Sequence, residues 1–279
     1  MTNNLKESLE IIIKMAKDRK LIPFIGSGFS KNLNIPTWEE VINNIAEDVG
    51  WSPEIMKSQG DFMQIAEYCV QVGGISGLRS KLDKVFNSNK IDITKSKLHS
   101  TLIKIDAPII YTTNWDNWIE ESYKKNNKDC QVVRKLSDIL NIHNSKTQIV
   151  KFHGDFESND KDIVFSESTY FDRMKFESFL DIKFRADILG KCILFLGYSF
   201  SDINIRMLWH ELHKLIYKFK QDNNMPDYPK SYIVLNRPNL LLSEIYKNKN
   251  ITILTLEGKK NAGIELTNFL NSIVNGMGK

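Results

Sequence analysis

The sequence contains few cysteines and no long apolar run, and both features narrow the class of protein to which it can belong. Its three cysteines are Cys69, Cys130 and Cys192, and no two of them have the CxxC spacing typical of a structural zinc site. Such scattered cysteines give no disulfide framework either, which favours a reducing cytoplasm. No segment approaches about 20 consecutive apolar residues, and the first residues lack the apolar core of a signal peptide. We therefore expect no structural metal, no membrane span and no secretion signal.

An excess of charge of one sign is also lacking. The chain has 38 Lys and Arg against 34 Asp and Glu, a net charge of +4, and the lysines are spread along its length. Direct nucleic-acid binding is therefore not indicated. With 42% apolar and 26% charged residues, the 279-residue chain has the composition of an ordinary globular protein, either one large domain or a domain with a small insertion.

Short apolar segments alternate with amphipathic ones along most of the chain. The apolar segments predict buried strands, although Pro23 in the first removes one hydrogen-bond donor; they are LIPFIG, PIIYTT, QIVKFHG, KCILFLGYS, SYIVLN and ITILTL. Amphipathic helices are expected before the first of these segments and between most of the others. This alternation predicts an α/β fold, a Rossmann-like doubly wound parallel sheet.

Residues 51–100 depart from this alternation. Amphipathic runs such as DFMQIAEYCVQV and LRSKLDKVF are joined by glycines, and clear strands are absent. Just before them, Thr37 and Glu40 have the spacing of a helix capping box. We expect a main domain formed by residues 1–50 and 101–279, with residues 51–100 as a helical insertion.

A glycine-rich segment, GSGFS, follows the first predicted strand. Gly26 and Gly28 would let backbone amides approach a pyrophosphate closely, and Ser27 and Ser30 could add hydroxyl donors. A tight exit from the strand explains the same G-x-G pair equally well, because the full dinucleotide fingerprint is incomplete.

Polar residues follow four further strands at their carboxyl ends, the edge where open parallel sheets bind ligands. TTNWDN supplies Thr113, Asn114 and Asp116, and capping of the next helix is as good an explanation of Asp116 as a role in the site. FHGD supplies His153, followed by a glycine that lets the chain bend. GYSFSD begins at Gly197, and Asn236 ends SYIVLN. Five such endings on one edge favour a nucleotide site.

The other histidines carry less information. His210 and His213 are three residues apart on an amphipathic helix without carboxylate or cysteine partners, so a structural role is favoured over metal binding. His99 and His143 lie in no specific motif. His153 is therefore the histidine expected at the site.

In order, GSGFSKNLNIP, TTNWD, FHGD, GYS and VLN resemble the core motifs of the sirtuin family. LIPFIGSGFS, YTTNWD and LGYSFSD resemble more closely the bacterial sirtuin-like domains of antiviral defence systems, whose activity is NAD hydrolysis. The resemblance implies NAD as substrate and Asn114 and His153 as the catalytic pair, with Asp116 supporting their loop. It also implies the remaining contacts: Gly26, Ser27, Gly28 and Ser30 at the NAD phosphates, Thr113 beside Asn114 in the cofactor site, Gly197 and Ser199 near ribose and phosphate, and Asn236 near the adenine-side ribose.

Two departures from the sirtuin pattern bear on the activity. Protein-deacylating sirtuins carry a four-cysteine zinc module, which three scattered cysteines cannot build. The family's arginine after the GIP segment is also missing, because Trp38 and Glu39 follow IPT. The missing arginine bears on how the nicotinamide end is positioned, and the missing zinc module weakens the deacylase interpretation. NAD hydrolysis is expected, with a non-catalytic NAD or ADP-ribose binding module, or an NAD-dependent protein deacylase, as alternatives.

The resemblance also implies control of the activity, because unrestrained NAD cleavage would kill the host cell. No segment of the sequence resembles a sensor. We expect a homo-oligomer, or a complex with a separately encoded sensor such as an ATPase or an Argonaute-type protein.

Overall fold

A parallel sheet forms the centre of the computed structural model, which describes residues 3–36, 40–41, 45–46, 50–159, 162–198, 202–222, 228–256 and 261–278. The described residues form seven strands, all parallel, in the order β3-β4-β2-β1-β5-β6-β7. They are β1 (Leu21–Ile25), β2 (Ile109–Thr112), β3 (Cys130–Val133), β4 (Thr147–Lys151), β5 (Cys192–Leu196), β6 (Ser231–Leu235) and β7 (Ile251–Thr255). This order confirms the predicted α/β, Rossmann-like class.

Helices connect the strands and cover both faces of the sheet. Those whose bounds lie within the described residues are α1 (Asn3–Lys17), α2 (Ser27–Ser30), α3 (Pro53–Gln59), α4 (Phe62–Gly73), α5 (Ile75–Phe86), α6 (Lys97–Ile105), α7 (Trp118–Lys125), α8 (Leu136–Leu140), α9 (Glu167–Arg173), α10 (Phe179–Asp187), α11 (Ile203–Asp222), α12 (Leu240–Lys247) and α13 (Ala262–Met277). The described residues 40, 41, 45 and 46 are also helical, whereas Thr37 of the expected capping box lies outside the described residues.

The two faces of the sheet bury separate apolar cores. Side chains of α1, α6 and α13 pack on one face, and those of α10, α11 and α12 on the other. β1 contributes to both, since Leu21 and Ile25 point to the first core and Ile22 and Phe24 to the second. Burial on both faces explains why the strand segments are apolar runs instead of alternating patterns.

Pro23 lies in a central strand despite its missing N–H donor. β1 pairs with β5 along its whole length, including Pro23 beside Leu194, but with β2 only at Phe24 and Ile25. The shortened ladder on the β2 side is compatible with one lost donor. The strand predicted from LIPFIG is therefore present.

The segment after residue 50 is helical and has a small core of its own. Residues of α3, α4 and α5 pack with Phe156, Ile163 and Phe165, which come from the connection after β4. Asp61 begins α4 with a capping box, accepting hydrogen bonds from the backbone of Met63 and Gln64. Helix α6 instead packs against α13 on the main sheet. The division of the chain at residues 50 and 100 stays a prediction.

Candidate functional site

The chain reverses its direction of sheet growth between β1 and β5. The strands β2, β3 and β4 lie on one side of β1, in the spatial order β2, β4, β3, whereas β5, β6 and β7 extend the other side. The chain continues from β1 and from β5 onto opposite faces of the sheet, since Phe29 packs in the first core and Ile205 in the second. The point where these two directions part is at the carboxyl edge, where doubly wound sheets bind their ligands in a crevice. GSGFS lies at this point after β1, and Gly197 and Tyr198 lie there after β5.

The glycines of these two loops pack directly against each other. The Gly26 amide donates to the Leu196 carbonyl at 3.0 Å, and the Gly28 amide donates to the Gly197 carbonyl at 2.9 Å. A Cβ on Gly26 would lie 2.4 Å from Tyr198, and one on Gly28 would lie 2.8 Å from the Gly197 oxygen. Close packing of the loops thus accounts for both glycines, and their amides are already used within the protein.

Asn114 joins the loops after β1 and β2. Its side chain is buried, and Nδ2 donates to the Gly26 carbonyl and to Ser30 Oγ, both at 3.2 Å. Its backbone amide donates to Thr112 Oγ1 at 3.0 Å. The Asn114 amide group is therefore held in one orientation at the crevice.

Asp116 lies directly before Asn117, the N-cap residue of α7, and lines the crevice at the same time. Its Oδ1 accepts a hydrogen bond from the Trp118 amide at 3.3 Å, at the beginning of α7. Burial raises the pKa of Asp116, although the Lys151 ammonium and hydrogen bonds from Ser30, Trp118 and Asn114 oppose that effect. Both explanations of this residue, cap and site residue, are compatible with the structure.

A fully buried lysine, Lys151, contacts the loop after β2 that carries Asn114 and Asp116. Lys151, the last residue of β4, pairs with Glu120 Oε1 at 2.8 Å and donates to the Asp116 carbonyl. Burial also raises the pKa of Glu120. Lys151 therefore links the strand that leads to His153 with the loop that carries Asn114.

His153 is buried at the end of β4 and faces a carboxylate. Its Nε2 lies 3.3 Å from Asp202 Oδ2, without the alignment of a hydrogen bond, and the Tyr170 ring packs edge-on at 5.5 Å. Burial lowers the pKa of His153, and Arg173 adds to this effect, whereas Asp202 and Asp181 oppose it. The imidazole is therefore neutral at pH 7 and able to accept a proton.

Asp202 is a site residue that the sequence analysis did not identify. Its Oδ1 accepts hydrogen bonds from the amides of Asn204 at 2.9 Å and Ile205 at 3.2 Å, so it caps α11 while Oδ2 faces His153. In the sequence, Asp202 stands just before a long amphipathic segment. That position indicates a helix cap but does not indicate a partner for His153.

A cavity of about 920 Å³ opens above these side chains. Its predicted lining residues are Ser27, Gly28, Ser30, Thr113, Asn114, Asp116, His153 and Gly197. Its walls also include aromatic and apolar residues that the sequence analysis missed: Phe62, Met63, Phe86, Trp115, Phe165, Tyr170, Phe171, Met174 and Tyr198. The exposed cations Lys31 and Arg206 line it as well. Such a cavity, apolar with a few convergent polar groups, is typical of a cofactor-sized ligand.

Three predicted residues are not part of this lining. Gly26 lies behind Tyr198, Asn236 is exposed in the turn after β6, and Ser199 lies outside the described residues. Their assignments stay predictions. Among the residues that the structure describes, no group of three or more His, Cys, Asp or Glu side chains could hold a metal ion. None of the described helices has both the length and the apolar character needed to cross a membrane.

A doubly wound parallel sheet with a cavity at its switch point defines a Rossmann-type α/β protein. The model of the SIR2-like domain family matches residues 108–254, more than half of the chain, so the chain belongs to that family. The resemblance to sirtuins predicted from the ordered motifs is thereby confirmed.

Curated relatives share low identity over most of this chain. Defense-associated sirtuin 2 of Bacillus subtilis is 25% identical over 260 residues, which cover 91% of this chain and 25% of the relative. The NAD(+) hydrolase ThsA of Enterococcus faecium is 25% identical over 211 residues, covering 74% of this chain and 41% of the relative. This chain thus spans a quarter to about two fifths of the length of these relatives. A solved structure described as "Structural Basis for the Mechanism and Regulation of Sir2 Enzymes" aligns over 98% of both chains, with 12% identity and a TM-score of 0.48.

Proposed function

We propose that this chain binds NAD in the cavity and hydrolyses its nicotinamide–ribose bond, giving nicotinamide and ADP-ribose. The observation that carries the proposal is the convergence of Asn114 and His153 on one cavity at the switch point, beside the glycine loops. The names of the ThsA relatives, which are NAD(+) hydrolases, support the same chemistry.

Asn114 and His153 would have different roles at the ribose: Asn114 would orient the reactants, and His153 would accept a proton. Both Nδ2 contacts of Asn114 are to the protein, so its amide oxygen is the atom to accept a hydrogen bond from water or a ribose hydroxyl. The neutral His153 accepts the proton of the attacking water as its oxygen bonds to C1′. Nicotinamide leaves with the electrons of the broken C1′–N bond, and the Asp202 carboxylate stabilises the resulting imidazolium.

The remaining cavity residues would hold the rest of the substrate. Hydroxyls of Ser27 and Ser30 and the cations Lys31 and Arg206 suit the two phosphates, since anions prefer hydroxyl, amide and cationic partners. We also assign Gly28, Gly197 and Ser199 to ribose and phosphate, and Asn236 to the adenine-side ribose. Thr113 and Asp116 complete the wall beside Asn114.

In the cell, we propose that the chain acts as an NAD-depleting effector of antiphage defence. The relative named defense-associated sirtuin 2 supports this role. Because such chemistry needs restraint, assembly into a homo-oligomer or binding to a separate sensor protein would control it.

Product analysis of wild-type protein and two variants tests the enzymatic proposal. His153→Ala is expected to lose at least about 100-fold in NAD cleavage, the usual contribution of a positioned base. Asn114→Ala is expected to lose about as much, because the water and the ribose are no longer oriented. His143→Ala, which changes an exposed histidine outside the cavity, is the matched control. Chromatography of the products with and without an acylated peptide separates the alternatives. Acylated ADP-ribose would indicate a deacylase, and NAD binding without any product would indicate a binding module.

A further inference from the structure

Arg173 makes three contacts with the residues around His153, and the mechanism above does not use it. Its NH1 donates to the Phe152 carbonyl at 2.7 Å, the bond directly before His153. Its guanidinium carbon lies 4.5 Å from the centre of the Phe152 ring. Its NH2 donates to Asp181 Oδ1 at 2.7 Å. Arg173 thus contacts the backbone and the ring of one residue and pairs with a carboxylate.

The carboxylate that pairs with Arg173 is itself fixed. Asp181 is 1% exposed and lies in the first turn of α10. Its Oδ2 accepts hydrogen bonds from the Ser178 amide at 3.1 Å and from the Ser178 hydroxyl, as part of the capping box of the helix. The Arg173 side chain is only 14% exposed, so both ends of the pair are held between α9 and α10.

We infer that Arg173 is a positioning residue for His153, fixing the end of β4 so that the imidazole faces the cavity and Asp202. The inference rests on the proposed function, because positioning matters only where His153 takes part in the reaction. A guanidinium suits the task because its planar fork serves a carbonyl and a carboxylate at once and stacks on an aromatic ring. A lysine ammonium would keep the charge but not this geometry.

Charged side chains on or next to three different helices act on the His153 imidazole. Arg173 on α9 disfavours a protonated ring, whereas Asp202 at the start of α11 and Asp181 on α10 favour it. Tyr170, also on α9, packs edge-on against the ring, and burial raises the pKa of its phenol, so it stays neutral. Removing the charge of Arg173 should therefore raise the pKa of His153, and removing that of Asp181 should lower it.

The test compares Arg173→Met, Arg173→Lys and Asp181→Asn with wild type and with Arg185→Met, a control on α10. Histidine ring signals followed by NMR over pH, assigned with His153→Gln, report the His153 titration without need of activity. Steady-state kinetics with NAD report kcat and KM. Arg173→Met should lower kcat about 10- to 100-fold, as expected for a misplaced reactive group, with KM nearly unchanged.

The direction of the titration shifts distinguishes positioning beside His153 from a general loss of structure. Arg173→Met should move the His153 titration to higher pH and Asp181→Asn to lower pH, while Arg173→Lys keeps the wild-type titration but has a reduced kcat. If Arg173→Met does not fold, the other two variants carry the test. Wild-type kcat in Arg173→Lys, or shifts of equal sign in the two charge variants, would overturn the inference. A wild-type protein that cleaves no NAD at any concentration, including those at which it is associated, would refute the proposed function instead, and the NMR shifts would still be measured.

Discussion

Two histidines are buried at the ends of different elements, and their surroundings differ. His153 Nε2 lies 3.3 Å from Asp202 Oδ2. His99 on α6 contacts instead Ser96 Oγ, which lies 2.7 Å from Nδ1, and the Phe29 ring. Burial therefore lowers the pKa of His99 to about 3, while at His153 the carboxylates oppose the same effect. Of the two, His153 is the one that lines the cavity and faces a carboxylate.

Replacing Asp202 should separate its two roles. Asp202→Asn keeps a good helix cap for α11, so thermal stability should change little. The loss of the negative charge lowers the pKa of His153, which moves the acidic limb of the kcat/KM profile to lower pH. It also removes the partner of the imidazolium, so kcat should fall about 10-fold or more. Asp202→Ala, which loses the cap as well, should in addition melt at a lower temperature. A wild-type pH profile in Asp202→Asn would contradict this role.

His99 should make the protein sensitive to acid. Its pKa is about 3 in the folded protein and about 6.5 when unfolded, so the unfolded chain binds the extra proton between these values. Stability is therefore unaffected above about pH 6.5 and falls below it, by at most about 1.4 kcal/mol per pH unit from this group.

Urea unfolding of wild type and His99→Gln at pH 7.5 and pH 5 measures this contribution. The variant should be less stable at pH 7.5 but should lose less stability on acidification than wild type does. His143→Ala is the control, because His143 is exposed. Equal losses in wild type and His99→Gln would rule out His99 as the source of acid sensitivity.

At the scale of elements, the contact between the loops after β1 and β5 leaves no room for a side chain. Gly197 has φ +60° and a Cβ there would lie 2.2 Å from the Phe29 amide nitrogen. Gly190 has a similar φ of +71° but nothing within 4 Å. The two glycines therefore have a similar backbone φ but differ in the room that their surroundings leave for a Cβ atom.

Substituting each of these two glycines by alanine tests whether the loops after β1 and β5 are closely packed. Gly190→Ala should cost about 1–2 kcal/mol of unfolding free energy, from the left-handed backbone alone. Gly197→Ala should cost more than about 3 kcal/mol, because the loops must also move apart, and NAD binding should weaken with it. Calorimetry on both variants, with and without NAD, compares them. Similar losses in the two would show that the loops are not closely packed in solution.

Six of the seven strands could be predicted from the sequence because they read as apolar runs. Five of them are almost entirely buried, whereas the edge strand β7 is partly half-buried. β3 was missed because it is a four-residue edge strand, CQVV, that is mostly half-buried and follows a charged, polar stretch. Helices α9 and α12 were also missed, being short and rich in exposed residues. Asn114 and His153 could be identified as candidates because they follow strands directly. Asp202 and Arg173 could not, because their contact with the His153 region depends on how distant helices pack.

At the scale of the whole molecule, the proposed control by assembly predicts that turnover depends on concentration. If 1% of the chains are in an active form, raising this to 99% needs a preference of about 10⁴-fold, or roughly 5.5 kcal/mol. An interface of ordinary size can supply that preference. Turnover per chain should therefore rise with protein or partner concentration.

A dilution series with NAD, with oligomeric state measured by light scattering at each point, checks this expectation. A gated protein gives low turnover as a monomer and higher turnover when associated. Rapid turnover by a demonstrated monomer, equal at every dilution, would exclude control by assembly but not the proposed hydrolysis.

The pairing of β1 with β5 also determines when the site can first exist during synthesis of the chain. Gly26 and Asn114 are made early, but the wall formed by Gly197 and Tyr198 comes more than 80 residues after Asn114. At a ribosomal rate of about 5–20 residues per second, the interval from Gly26 to Tyr198 is about 9–34 s. Throughout that time the nascent chain has half a crevice and cannot enclose a ligand. The proposed NAD cleavage therefore cannot begin before the central strands have paired.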